Sequence, residues 1–340
     1  MKILVLGGGR QGSVIAADLA RSFDVTVADT RRVNVKGARS IVRDLGGGDL
    51  DRVIARFDLA VGALPSRFGF AAAQAAIEAR RPMVDVSFFA EDSFTLDRAA
   101  RRAGVAFVPD AGLSPGISNL ILGHIAKPRP RGVEIRVGGI AARRQQDYVA
   151  TWSLDDLIEE YTRPARIKKA GRVVTVPALS GVETVRVPRV GALEAFFSDG
   201  LRTLLRTLPA RDMFEKTLRW PGHAARMQAL ADLGFFARPE LVVPVFETAW
   251  VRSKPDDLVV LDVVADGARA TLVERRRGGL TAMTRTTAMM CAAVAELAAR
   301  GGIQSTGVIP LEMLGRDPKA YDALRQGLAR RGVRWRVSRR

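Results

Sequence analysis

The residues GGGRQG (7–12) set the tightest limit on how this chain folds. They follow a short apolar strand, KILVL (2–6), and open a segment with apolar residues at Ile15, Ala16, Leu19, Ala20 and Phe23, the spacing of a helix. Gly7, Gly9 and Gly12 fit G-x-G-x-x-G. The missing side chains permit a tight turn and let the backbone approach a pyrophosphate, whose charge sits at the helix N-terminus beside Arg10 and Gln11. A second strand, VTVAD, ends in Asp29, where a carboxylate followed by Thr30 can accept hydrogen bonds from the adenosine ribose. Strand, glycines, helix and acid in this order predict a dinucleotide-binding unit. Asp29 favours NAD, because it repels a 2′-phosphate. Arg31 and Arg32 come next and offer NADP the alternative of a phosphate grip.

Further strands follow at SIVRD (40–44), DLAVGAL (58–64), MVDVS (83–87) and VAFVPD (105–110), with helical stretches such as FAAAQAAIEA (70–79) and FTLDRAARRAG between them. The alternation predicts a Rossmann-type α/β fold, a parallel sheet wound on both faces. Ligands bind such sheets beyond the carboxyl ends of the strands. That rule lines Ala63, Leu64 and Pro65, then Asp85 to Ser87, then Asp110 to Gly112 along one crevice.

With 340 residues the chain has room for two domains, and 47% hydrophobic with 26% charged residues describes a globular protein. No apolar run approaches the ~20 residues of a membrane span, and the apolar stretch near Met1 is too short for a secretory signal. A single cysteine, Cys291, excludes an internal disulfide framework and suits a reducing cytoplasm. The net charge of +17 is dispersed arginine without a nucleic-acid-binding motif, so the expected partners are anionic small molecules rather than nucleic acid.

After Lys127 the texture changes. PRPRG (128–132) reads as a linker, and VEIRVGG, DYVATWS, RVVTVP, VETVRVP and LEAFFS read as strands without regular helices between them. SLDDLIEEYT starts a helix with Ser153 as its cap. DLVVLDVVAD and ARATLVERR form a hairpin turned at DGA, and residues 281–302 form a long helix ended by Gly301.

DAGLSPGISNLILGH (110–124), with GGGRQG, GALP, VRVGGI, YVATWSLDDLIEEYTRPA, VPALSGVE, LEAFFSDGLRTLL and KTLRWPGH, resembles the saccharopine dehydrogenase family. Within it the motifs look most like L-lysine 6-dehydrogenase. The resemblance implies a nucleotide-binding domain over 1–125 and a substrate domain over 126–280 of α+β type on a mostly antiparallel sheet. It also implies that the helix 281–302 packs back on the first domain. The implied reaction removes hydride to NAD from the ε-carbon of L-lysine, releases ammonia and leaves an aldehyde that closes to a cyclic imine. A saccharopine-type or carboxynorspermidine-type reductase, and a non-catalytic nucleotide-binding protein, are the alternatives. A cytoplasmic homodimer is implied as well. One departure is AARRQQ (141–146), where relatives carry a proline-rich loop.

Oxidising an amine needs a base for the ammonium proton and a cation for the distal carboxylate. Asp110, Lys216 and His223 are the candidates for proton handling, with the helix N-terminus expected to keep His223 neutral. Arg219 is the expected carboxylate anchor, since a guanidinium offers a bidentate fork. Arg202, Asp199 and Trp152 are further candidates to border the substrate. Four of them have a structural alternative: Asp110 as a backbone cap, Asp199 as a helix cap, Trp152 as core, His223 as a helix-start residue. Two histidines and one cysteine give no metal-ligand spacing.

Overall fold

Strand β1 (Lys2–Leu6) is the keystone of the first sheet, and Ile3 to Leu6 are fully buried. A strand covered on both faces needs such a continuous apolar run. After it come α1 (Arg10–Leu19), β2 (Asp24–Asp29) and β3 (Arg39–Val42). The chain then crosses back through α2 (Leu50–Ile54) to β4 (Leu59–Gly62), α3 (Ser66–Glu78), β5 (Met83–Asp85), α4 (Asp97–Ala103), β6 (Ala106–Val108) and α5 (Ile117–Ile125). β1 pairs in parallel with both β2 and β4, Ile3 standing opposite Val25 on one side and Leu59 on the other. The winding direction reverses between β1 and β4, and a ligand crevice opens at such a reversal. This computed structural model describes residues 1–46, 48–144, 148–251 and 255–339.

The middle of the chain is β7 (Gly132–Ala141), α6 (Leu154–Thr162), β8 (Ala165–Lys169), β9 (Arg172–Val176), β10 (Glu183–Val187) and β11 (Gly191–Phe197). It continues with α7 (Leu204–Thr207), β12 (Asp212–Arg219), α8 (His223–Asp232), α9 (Pro239–Trp250), β13 (Asp257–Ala265) and β14 (Ala268–Arg275). β12 and β7 run parallel, while β10–β11, β11–β12, β7–β13 and β13–β14 are antiparallel. The hairpin β13–β14 turns at Asp266 and Gly267, with φ of 46° and 85°; two positive angles are what a tight hairpin turn requires. DYVATWS forms no strand among its described residues. Tyr148 and Ala150 instead feed a core with Leu157, Tyr161, Phe196 and Trp250. The apolar run there reflects continuous burial of an irregular segment, since Tyr148, Val149, Ala150 and Thr151 are all buried. Gln145 and Gln146, in the departing loop, lie outside the described residues.

The chain ends with α10 (Ala282–Ala299), β15 (Gly307–Val308), α11 (Leu311–Arg316), α12 (Pro318–Arg330) and β16 (Arg336–Arg339). β15 completes a seven-stranded sheet in the order β15-β6-β5-β4-β1-β2-β3, and β16 pairs with β14 in the second sheet, of nine strands. Two units result: Met1–His124 with Thr284–Arg334, and Ile125–Met283 with Trp335–Arg340. In the first, α5 and α11 meet through glycines. A Cβ on Gly123 would lie 2.2 Å from the Glu312 carbonyl oxygen, and one on Gly315 2.2 Å from that of Leu120. Asn119 donates to the Glu312 carboxylate at 3.0 Å across this joint, and the His124 ring stacks on Tyr321. Among the described residues no helix is long and apolar enough to cross a membrane.

Gly315→Ala is expected to force this joint apart and to lower stability by about 1–3 kcal/mol. Gly132→Ala, where nothing stands within 4 Å, should stay within about 0.5 kcal/mol. Urea unfolding of both variants checks this, and equal midpoints would show that the close approach is not required.

Candidate active site

The glycine loop in the first unit has no room for a side chain at Gly7 or Gly12, while a Cβ on Gly9 would meet nothing within 4 Å. A Cβ on Gly7, whose φ is +93°, would stand 2.6 Å from the Ala63 carbonyl oxygen, and one on Gly12 only 1.9 Å from the Gly7 carbonyl oxygen. Gly9 caps α1 without a side-chain hydrogen bond, and no acidic residue occupies the first turn. The amides there are left for an anion. The Oε1 of Gln11 is buried without a partner. The Asp29 carboxylate accepts from the Gly8 amide at 2.7 Å and the Arg31 amide at 3.0 Å. Burial alone would raise its pKa, but the Arg31 and Gly8 amides, with Thr30 and the Arg31 charge, lower it on balance. Across the reversal lie Leu64 and Pro65, which opens α3. Ser87 donates from its amide and hydroxyl to the fully buried Asp85. The amide of Gly112 donates to the carbonyl of Asp110, which sits buried at φ +57°. The bare loop, the unpartnered Gln11 oxygen and the ionised Asp29 fit a dinucleotide.

In the second unit the histidine of KTLRWPGH stands at the start of α8, behind Gly222 at φ +95°. Its Nε2 is 2.8 Å from the Tyr161 hydroxyl, and the rings of Tyr148 and Trp250 flank it. Arg219 is 3% exposed and grips Glu160 at 2.9 and 3.1 Å, its guanidinium 5.0 Å from the Tyr148 ring centre. Burial pulls the Arg219 pKa down, but Glu160, with Tyr148 and Tyr161, more than offsets this and raises it. Trp152 donates its indole N–H to the Tyr148 hydroxyl at 3.2 Å and packs on the same core.

His223 is held well below its ordinary pKa, first by burial and then by Arg219 and Arg226. The helix terminus is not the cause expected of it. Glu194, from β11, accepts from the Gly222 amide at 2.7 Å and the Ala224 amide at 2.5 Å, so its carboxylate covers the positive end of α8.

Three expected roles need correction. Lys216 does not join His223. Its ammonium donates to the Gly181 carbonyl at 2.6 Å, pairs with Glu183 at 3.1 Å and lies over Phe197. It stands three positions before Arg219 on one strand, so the two face opposite sides of the sheet. Asp199 is neither a helix cap nor an open carboxylate: it takes a double contact from Arg166, at 3.0 Å from Nε and 2.8 Å from the terminal nitrogen. Arg219 is not an open anchor, because Glu160 already answers its charge. Arg202 is buried in the loop before α7 at φ +46°. Tyr148, Glu160, Tyr161 and Glu194 escaped sequence reasoning. The one signal for the middle pair was their place in EEYT, where Tyr161 sits on the apolar stripe of α6 with Leu154, Leu157 and Ile158. Among the described residues no cluster of metal ligands occurs.

Comparison with known proteins matches residues 3–108 to the saccharopine dehydrogenase NADP binding domain and residues 112–333 to the saccharopine dehydrogenase C-terminal domain. An alpha-aminoadipic semialdehyde synthase of Arabidopsis thaliana is 25% identical over 211 residues, covering 54% of this chain and 19% of that protein. A saccharopine dehydrogenase [NADP(+), L-glutamate-forming] of Pyricularia oryzae is 25% identical over 207 residues, covering 56% and 46%. This chain thus spans less than half the length of either relative. The fold is that of an apo saccharopine dehydrogenase (L-Glu forming) from Saccharomyces cerevisiae, with a TM-score of 0.78, 18% identity and 99% of both chains covered.

The buried histidine makes a pH prediction. Its folded pKa lies below the ordinary 6.5. As the pH falls below that value the unfolded chain takes up a proton that the folded chain refuses. This group therefore lowers stability by up to about 1.4 kcal/mol per pH unit on the acid side. His223→Gln lacks the component. Denaturant midpoints followed from about pH 7 to 5 should fall less steeply in the variant, and parallel slopes would show that His223 is not held neutral.

Proposed function

The chain belongs to the saccharopine dehydrogenase family, and from that premise we propose that it is a nicotinamide-dependent oxidoreductase acting at the carbon–nitrogen bond of a basic amino acid. Its favoured reaction is oxidative deamination of the ω-amino group of L-lysine. The amine carbon loses hydride, its nitrogen loses a proton, and water then replaces ammonia to leave an aldehyde that closes to a cyclic imine. The observation that carries this reading is the side-chain-free cradle of Gly7, Gly9 and Gly12 at the sheet's reversal, followed by Asp29.

Gly7, Gly9, Arg10, Gln11 and Gly12 would hold the pyrophosphate, and Asp29 and Thr30 the adenosine ribose. Ala63, Leu64, Pro65, Ser87 and Gly112 border the crevice. A bound nicotinamide supplies the hydride acceptor. Asp110, buried beyond β6, is assigned to the ammonium proton, and His223 with its aromatic surround to the substrate. Asp29 supports NAD, since its ionised carboxylate opposes a 2′-phosphate. A second reading, an NADP-linked saccharopine-type enzyme, draws on the names of the relatives and on the exposed Arg31 and Arg32.

L-Lysine, shorter ω-amino acids and saccharopine, each offered with NAD and NADP and followed by reduced-nicotinamide absorbance, separate these readings. Lysine or a close ω-amino acid should turn over with ammonia release and with higher kcat/KM for NAD. Asp29→Ser should narrow the cofactor preference by about tenfold, or 1.4 kcal/mol. Glutamate release from saccharopine, or a wild-type preference for NADP, would establish the second reading.

A further inference from the structure

Tyr161 and His223 share one proton-bearing contact, and its direction decides what the histidine can do. Both side chains are buried, and Tyr161 Oη stands 2.8 Å from Nε2. A phenol carries one proton and can accept more than one; a neutral imidazole has one N–H and one lone pair. Among the described residues no other acceptor takes the Tyr161 proton. If Nε2–H donated to Tyr161, the phenolic proton would be left buried and unpaired, the costly arrangement for any hydroxyl. Arg219 points the same way. Its positive charge acts on the Tyr161 hydroxyl, and a guanidinium can only donate to such a group. The phenolic oxygen therefore turns its lone pairs to Arg219 and its proton to Nε2.

The lone pair of Nε2 is thereby occupied, and the imidazole proton must sit on Nδ1. Among the described residues Nδ1 has no hydrogen-bond partner, and it is not one of the fully buried polar atoms left unpaired, so it reaches the surface of a side chain otherwise only 8% exposed. An N–H that no protein group answers and that stands at the surface is open to an acceptor from outside the protein. The surrounding charge says which kind. Arg219 and Arg226 both act on the ring as positive neighbours. Of the acids facing it, Glu160 is spent on Arg219 and Glu194 on the amides of Gly222 and Ala224. A field that disfavours imidazolium favours an anion at the same place. The reacting amine is a poor fit, because a hydrogen bond to its lone pair opposes hydride loss from the adjacent carbon.

We propose that Tyr161 holds His223 as the neutral Nδ1–H tautomer and that Nδ1 donates to a carboxylate of the amino-acid substrate, making His223 the anchor and not the base. The inference deepens the amino-acid oxidoreductase reading and rests on it for the identity of the ligand. The tautomer itself does not depend on that reading.

The chain has only two histidines, so long-range ¹H–¹⁵N NMR of the imidazoles in this 340-residue chain reads the tautomer directly, with His124→Gln assigning the signals. Near neutral pH the wild type should show a protonated Nδ1 and an unprotonated Nε2, and Tyr161→Phe should move the proton towards Nε2. A protonated Nε2 in the wild type overturns the proposal. In turnover with L-lysine, His223→Ala should raise KM about tenfold or more with a smaller change in kcat, the loss expected for a hydrogen bond to a charged group. His223→Asn, which keeps an N–H in place of Nδ1–H, should recover most of that KM. A fall in kcat with unchanged KM in both variants overturns the anchor and returns His223 to proton transfer. An Nδ1–H signal in a protein that oxidises no amino acid supports the tautomer and refutes the oxidoreductase reading instead.

Discussion

A guanidinium taken out of water must find an acid, and Arg219 shows how much of a domain that one requirement can organise. Removing such an ion from solvent costs several kcal/mol unless a partner and further hydrogen bonds answer it. Glu160 supplies the partner, so α6 is bound to the end of β12. The next residue on that helix, Tyr161, is then beside the cation and in contact with His223, which starts α8. Tyr148 lies against the same guanidinium and is tied to Trp152. Four separate segments of chain thus converge on one charge. An arginine whose terminal nitrogens are taken up by the protein itself shapes its neighbours, and of its nitrogens Nε alone is left buried without a partner.

The cofactor loop follows the opposite logic, of absence. At Gly7 and Gly12 a side chain is excluded because the carbonyls of Ala63 and Gly7 stand closer than any Cβ allows. What remains is a row of amides, with a buried polar atom of Gln11 beside them and a carboxylate held ionised by the loop it faces. Local sequence dictates nearly all of this, since every participant except Ala63 lies between Gly7 and Arg31.

That difference explains what could be read in advance. The doubly wound sheet, the glycine cradle, Asp29 and the β13–β14 hairpin are written in contiguous patterns of period, glycine and acid. The charge pairs are not. Arg219 and Glu160, or Asp199 and Arg166, meet through tertiary contacts that no local spacing encodes. Lys216 is a different case. Its odd separation from Arg219 on one strand already placed it on the other face, a consequence of the two-residue period. The cause of neutrality at His223 was also hidden, because Glu194 comes from β11 to cover the helix end. DYVATWS misled because a short irregular segment buried along its length, from Tyr148 to Thr151, imitates the apolar run of a strand.

Whether this fold moves hydride from an amine-bearing carbon is tested most directly by following the hydrogen. L-Lysine deuterated at its ω-carbon, incubated with the protein and oxidised NAD, should deliver deuterium to the reduced nicotinamide, as read by mass spectrometry. A primary isotope effect on turnover is expected whenever that transfer limits the rate. Reduced cofactor without label, or label appearing in water, would contradict the account at its centre.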